Sequence, residues 1–274
     1  MKRSDLKFHE TFQPDSSYIS KILELAAENY SGSKMDISNL TGIPTGKLKG
    51  KVEPCIRYAA FMDLIEYAID NGRYQLELTS IGREVFSQDQ FLHEPLTRWI
   101  CHYGITAYPT GAPQWQFIVN SMDLQFNSAV SSEHIAKTAN RTWDLDLQFS
   151  ELFGVVRSSY ADGFFESLKY VSWDDYLKFN EHNASIDMVY VYAYAMLRQW
   201  ERIRPEAIEL TEREVFEELK FCNVFGMNEN EAKKAFDMME SADLLKVNRQ
   251  LFPATCIRVT NSELVIPRLY DNLL

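Results

Sequence analysis

Basic charge is scarce in this sequence: 28 Lys and Arg stand against 39 Asp and Glu, a formal net charge of −11 over 274 residues. That excludes a coat of non-specific nucleic-acid-binding charge, which needs a basic excess, so any DNA contact has to come from a local patch. Long apolar runs are missing too. None approaches the roughly 20 residues needed to span a bilayer. The opening segment MKRSDLKFHE has no apolar core of signal-peptide type, so a cytoplasmic, membrane-free location is expected. Cysteine is sparse. Cys55, Cys101, Cys222 and Cys256 lie far apart and form no C-x-x-C pair, which argues against a disulfide framework or zinc ribbon and for four buried thiols. What the chain does have is apolar residues, 46%, and aromatic residues, 13%. This is enough to exclude global disorder and to fill one large core or several smaller ones.

Helical periodicity begins early. Asp15, Ser16 and Ser17 offer caps, and Ile19, Ile22, Leu23 and Ala26 then recur at helical spacing. A second helix is expected from about Asp36, stopped by Gly42 and Pro44, and a third over about 53–64 carrying Ile56, Ala60 and Leu64. The strongest local signal follows. Residues 65–69 are strand-like, Asp70-Asn71-Gly72-Arg73 comes next, and residues 74–78 alternate apolar with polar. Asn-Gly supplies the positive φ angles of a type I′ turn, so a β-hairpin is predicted. Helices followed by a hairpin is the order of a winged helix, whose third helix enters the major groove while the hairpin flanks it.

Beyond this, 91–103 reads as a helix and 108–113 as a loop. Residues 115–122, 132–140 and 147–160 have helical period, and 165–171 with 176–179 would be two strands. Residues 188–197 are apolar or aromatic on all sides and too short to cross a membrane, so a buried helix is expected. Thr211 with Glu214 forms a capping box, 228–244 is amphipathic, and 245–247 with 257–259 would close a last hairpin. The expected fold is mainly α: tandem winged helix-turn-helix units, two or three in number, with small β-hairpin wings around a helical middle. The expected division is an N-terminal winged-helix domain over 1–104, a helical middle over 105–205 that is alternatively a second winged unit, and a C-terminal winged-helix-like domain over 206–274.

The segment from Thr41 to Lys51 invites comparison with a phosphate-binding loop. It fails, because three residues rather than four separate Gly42 from Gly46-Lys47, and Leu48 stands where a magnesium-binding Ser or Thr is needed. Its position is more informative, since it joins the second and third helices. Lys47, Lys49, Lys51 and Arg57 outnumber the single acid Glu53, and a basic helix entrance can meet phosphates. Thr45 beside it and Arg73 on the hairpin complete the candidate DNA-binding set. The bland alternative pairs Arg57 with Glu53 and leaves the lysines solvated.

In Phe8-His9-Glu10-Thr11-Phe12, His and Glu are neighbours. Adjacent residues of an extended segment face opposite ways, so an arm anchored by Phe8 and Phe12 is expected rather than acid-base chemistry. His93 and His102 lack metal-ligand spacing. Pro14-Asp15 with Glu218-Leu219-Lys220 can be forced into a nuclease pattern, but both fall in expected helices or caps. No GxSxG, HExxH or dinucleotide fingerprint occurs. No catalytic residue, metal or cofactor is therefore expected, with a nuclease kept as the enzymatic alternative.

Phe8-His9-Glu10-Thr11-Phe12, Thr41-Gly42-Ile43-Pro44 leading into Ile56-Arg57-Tyr58, and Leu78-Thr79-Ser80-Ile81-Gly82 before Trp99-Ile100-Cys101-His102 together resemble the bacterial family of domain of unknown function 4007. Members typically carry an HETF-like segment, an "aIRyW"-like helix and an "LT-x-x-G" step before a helix with Trp and His. Here Tyr58-Ala59 replaces the tyrosine-tryptophan step. The resemblance marks His9, Glu10, Thr11, Trp99 and His102 as motif residues without assigning them a role. It implies an accessory place in anti-phage islands, near proteins of DNA phosphorothioation systems. The functional expectation is a non-catalytic DNA-binding or adaptor subunit of such a system, with DNA and other defence proteins as partners. The alternatives are a transcriptional regulator of the island or a protein–protein scaffold without DNA contact.

Overall fold

The computed structural model describes residues 3–46, 50–121, 129–250 and 252–273. These fall into two compact units, one holding the described residues up to Phe179 and the other those from Asn180 onward. The first begins with α1 (Arg3–Leu6), α2 (Ser16–Ala27), β1 (Ser31–Ser33), α3 (Lys34–Thr41), α4 (Val52–Phe61), β2 (Ile65–Asp70) and β3 (Arg73–Leu78). It continues through α5 (Ser80–Gln88), α6 (Pro95–Thr106) and α7 (Pro113–Gln116), the last passing into a π-helical turn over Phe117–Ser121. It closes with β4 (Ala129–Ser131), α8 (Ser132–Trp143), α9 (Phe149–Ala161), β5 (Val171–Trp173) and β6 (Tyr176–Phe179). The second unit holds α10 (Val189–Ile203), β7 (Glu209–Thr211), α11 (Glu212–Glu217), α12 (Phe221–Phe225), α13 (Glu229–Ser241), β8 (Leu245–Asn248), β9 (Thr255–Arg258) and α14 (Ser262–Val265).

The chain is thus α-rich, and its described residues form three small antiparallel sheets of three strands whose orders are β1-β3-β2, β4-β6-β5 and β7-β9-β8. One topology recurs three times: a short strand, a set of helices, and a hairpin whose second strand sits between the other two. Each time the residue that ends the short strand also caps the next helix. Ser33 Oγ accepts from the Asp36 N–H at 3.2 Å, Ser131 Oγ from the His134 N–H at 3.2 Å, and Thr211 Oγ1 from the Glu214 N–H at 3.2 Å. Asp36 and Glu214 return the bond to the cap residue's own N–H, completing capping boxes.

Asn71 and Gly72 both take positive φ, +49° and +75°, as the type I′ turn requires, and Asp70 pairs with Arg73 across it. Thr79 Oγ1 caps α5 through the Gly82 N–H at 2.9 Å. A Cβ on Gly82 would lie 1.7 Å from the Leu64 carbonyl oxygen, which explains the glycine of the LT-x-x-G step. Gly104 plays the same part in α6, since a Cβ there would lie 2.4 Å from the Met62 carbonyl oxygen at the end of α4. Val189 to Leu197 are all buried, so this apolar and aromatic stretch of α10 forms the core of the second unit, against α13 and α14.

Three expected elements are corrected. The helix expected over 91–103 starts at Pro95, because Leu92 is buried in a left-handed turn at φ +58°. The strand expected over 165–171 is a 3-10 turn over Glu166–Leu168, ended by Lys169 at φ +49°, and extended chain begins only at Val171. The helix expected over 115–122 is the short α7 and its π-helical turn, with Met122 outside the described residues.

Candidate functional site

The motif residues His9, Glu10 and Thr11 sit in a turn that covers α4. The Phe8 ring is buried edge-on against Tyr58 (5.2 Å) and Phe61 (4.8 Å) of α4, with Trp115 of α7 at 6.1 Å. The segment is not extended, as its alternation implied. The Phe12 N–H donates to the His9 carbonyl at 2.7 Å, and Glu10 and Thr11 take φ of +46° and +78°. For a β-branched residue this is strained backbone, costing on the order of 1–3 kcal/mol, and it persists only when its surroundings over-determine it. Here they do. The Thr11 N–H donates to His9 Nδ1 at 3.1 Å, the Gly50 N–H donates to the Glu10 carboxylate at 3.0 Å, and the Tyr58 hydroxyl donates to the Phe12 carbonyl at 2.8 Å. His9 Nε2 lies 3.3 Å from Gln114 Nε2, which also donates to the Leu6 carbonyl at 2.6 Å. Burial, with the nearby Lys7 charge, lowers the His9 pKa to about 4, so the ring is neutral at pH 7.

This covering decides what α4 can offer. Glu53, Arg57, Ala60 and Phe61 are half-buried and every other residue of the helix is buried, so no residue of it is freely exposed. Glu53 is occupied: the Tyr74 hydroxyl donates to it at 2.6 Å and the Lys34 ammonium at 3.3 Å. The Tyr74 bond first, then Lys34 and the Arg57 charge, hold its carboxyl below the ordinary value.

Of the six candidate DNA-binding residues, Lys47 and Lys49 lie outside the described residues. Thr45 is half-buried in a narrow neck, where the Lys51 N–H donates to the Pro44 carbonyl at 2.8 Å. The neck needs a glycine, because a Cβ on Gly50 would lie 2.3 Å from Thr45 Oγ1. The Lys51 ammonium lies over the rings of Phe12 (5.3 Å) and Tyr18 (4.9 Å). Lys51 precedes α4 without giving it a side-chain cap. Arg57 stands one turn into the helix, while Arg73 on the hairpin turns away, donating to the Ser31 carbonyl at 2.7 Å with Asp36 at 3.7 Å. Thr45 and Lys51 therefore share the entrance of α4 with Glu10 and Gly50, whereas Arg57 lies near Glu53 and Tyr74 and Arg73 is drawn to β1 and α3.

Trp99 and His102 belong to a different knot. His102 is fully buried, its Nδ1 2.7 Å from the Tyr160 hydroxyl, with Trp99 edge-on at 5.4 Å and Tyr170 at 4.4 Å. They join α6 to α9 and the approach to β5. All four cysteines are buried, and burial pushes each thiol up to about 12. The two carboxylates of the forced nuclease pattern have structural roles: Asp15 caps α2 through the Tyr18 N–H, and Glu218 holds Arg204 with two bonds of 2.9 Å. Among the described residues no three His, Cys, Asp or Glu gather as a metal site. Gln114, Trp115 and Gly50, which complete the turn's surroundings, are distant in sequence from it and carry no pattern that marks them.

The chain matches no curated protein. Its fold is similar to that of two solved structures of SspB. One, described as magnesium ion-bound, has a TM-score of 0.75 and 14% identity over 97% of this chain and 88% of that one. The other has a TM-score of 0.73 and 15% identity with the same coverage. At such identity the likeness is one of fold. Over residues 7–148, which run from the covering turn through the first helix–hairpin recurrence to α8, the sequence matches the profile described as protein of unknown function DUF4007, and the chain belongs to that family.

Proposed function

We propose that this chain is a non-catalytic adaptor subunit of a bacterial DNA-modification or phage-defence system, acting in the cytoplasm through contacts with the system's other proteins. In this reading its three helix–hairpin recurrences are winged-helix units turned to protein docking. The observation that carries it is the covering of α4: a helix with no exposed residue offers little to a major groove, whose readout needs side chains free to reach base edges. Charge supports the same conclusion. The first hairpin exposes Glu66, Asp70 and Glu77 against Arg73 alone. On α13 both lysines of the exposed face are paired within the fold, Lys233 with Glu212 and Lys234 with Glu231. The SspB-like fold and the DUF4007 match agree with a subunit of a phosphorothioation-type system.

A second reading is favoured by one observation. α4 starts without a side-chain cap directly after a lysine-rich segment, so positive side chains stand beside the positive end of the helix. On this reading Thr45, Lys47, Lys49, Lys51, Arg57 and Arg73 contact DNA, and the chain is a DNA-binding adaptor or a regulator of its island. Pull-down with the neighbouring gene products, alongside gel shifts with duplex DNA over a salt series, tests both. A stable protein complex formed without DNA is expected. A sharp operator would make the chain a regulator, and magnesium-dependent strand cleavage abolished by a single Asp or Glu substitution would make it a nuclease; either replaces the adaptor reading.

A further inference from the structure

Five strands at sheet edges are short: β1, β4, β5 and β7 have three residues each and β8 has four. β2 has six, and among the described residues it pairs on one side only. Short edges, charged side chains (lysine above all), proline and bulges are the usual protections against strand addition. The sequence IEYAID of β2 has neither lysine, proline nor bulge, and its only charges are the acids Glu66 and Asp70, which repel acidic strands and leave basic ones free to add.

The open groups can be assigned. A two-residue turn closes on a hydrogen-bonded pair, here Asp70 with Arg73, and such pairs alternate along the ladder. Two bonds fix the phase. The Thr79 N–H donates to the Leu64 carbonyl at the base of the hairpin, and the Leu76 N–H points the other way, to the Tyr30 carbonyl. Tyr67 and Ile69 consequently turn both N–H and C=O outward, and among the described residues nothing takes these groups up. Ile69 is also 55% exposed.

The adjoining face is acidic. Glu66 lies directly across from Glu77, an unfavourable like-charge pairing. Neither these two nor Asp70 has an ion-pair partner among the described residues. Asn29, Ser31, Gln75 and both glutamates line a depression of about 370 Å³ there, roomy enough for a long side chain.

We infer that the free edge of β2 takes up an extended basic segment of a partner protein as a fourth strand. The inference rests on the adaptor reading and gives that partner a chemistry. The added residues opposite Glu66 and Asp70 are Lys or Arg, and those opposite Tyr67 and Ile69 are apolar, continuing the inner face of the sheet. A second copy of this chain does not fit, because it would bring the same carboxylates edge to edge. A nucleic-acid backbone is repelled for the same reason.

The test uses the full chain and a short fluorescent peptide centred on Arg-Val-Thr-Val-Arg, read by anisotropy. Replacing both arginines with glutamate is expected to weaken binding about tenfold, as is the double substitution Glu66→Lys with Asp70→Lys, while the double variant prefers the glutamate peptide. Ile69→Pro removes an outward N–H without touching the ladder to β3, and is expected to abolish binding with the melting curve retained. Equal affinity for the arginine and glutamate peptides, or affinity unmoved by the double variant, overturns the inference. Pull-down separates the two proposals. Neighbouring proteins held equally by wild type and double variant refute the edge alone, whereas a wild type that holds none refutes the adaptor reading itself.

Discussion

The hydroxyl of Tyr58, in the middle of α4, donates to the carbonyl of Phe12 at 2.8 Å, so a helix and the turn that covers it are tied by one bond between residues 46 apart. Tyr58 is fully buried and its ring also meets Phe8 and Trp115. Tyr58→Phe keeps that packing and leaves the Phe12 carbonyl without its donor. A loss of about 1–2 kcal/mol in unfolding free energy is expected, read from urea denaturation with an unchanged m-value. No change would mean that the turn does not depend on this bond.

His9 makes stability pH-dependent. Its folded pKa, about 4, lies below the ordinary 6.5, so between these values the unfolded chain binds a proton that the native chain does not. Stability is therefore fully present above pH 6.5 and falls as pH drops toward 4, by on the order of 3 kcal/mol. Asp36, Glu53 and Glu214, also held low, act below their ordinary values of 3.8 to 4.5, under most of this window. Denaturation midpoints from pH 7 to pH 5 are expected to fall for wild type and to stay nearly level for His9→Gln. Parallel curves would remove His9 from the account.

Two glycines predict opposite signs. Gly104→Ala drives a methyl group into the Met62 carbonyl and is expected to cost about 1–3 kcal/mol. Gly154 lies inside α9 with nothing within 4 Å of its absent Cβ, so Gly154→Ala should gain about 0.5–1 kcal/mol. Thermal melts of the two variants check both, and a destabilised Gly154→Ala would show that the outer face of α9 is less open than it looks.

If the entrance of α4 touches phosphate, replacing Lys47, Lys49 and Lys51 together with Ala should weaken binding to all duplexes alike and flatten the log–log salt dependence by roughly two to three units. On the adaptor reading the wild type has little such binding to lose. Anisotropy titrations between low and moderate salt distinguish the cases.

Much of the fold is legible where geometry is local. Asn71-Gly72 fixes the first hairpin to the residue, because two adjacent positive φ angles admit few other residue types. The apolar run of α10 announces its burial. Thr211 and Glu214 announce a helix start, and Ser33 with Asp36 spells the same motif in the first recurrence, where periodicity alone points to a start near Asp36. The short strands β1, β4 and β7 are illegible for a physical reason. Three residues are too few to show a period, and each is a strand only because a hairpin far along the chain receives it. The site is harder still. The backbone of Thr11 and the contacts of Gln114 and Gly50 are set by residues tens of positions away, so His9-Glu10 reads as an extended pair when it is a turn.

Ser33, Ser131 and Thr211 each end a strand and start a helix at once, leaving no connecting loop at these junctions. A single inserted residue there would have nowhere to bulge. It would either slip the strand by one, exchanging the faces of its side chains, or carry the hydroxyl off the helix axis and strand its first amides. The hairpin tip at Asp174 and Asp175 absorbs extra length without either loss. Length variation among relatives of this chain should therefore collect at the hairpin tips and spare these three junctions, even where no residue identity survives to mark them.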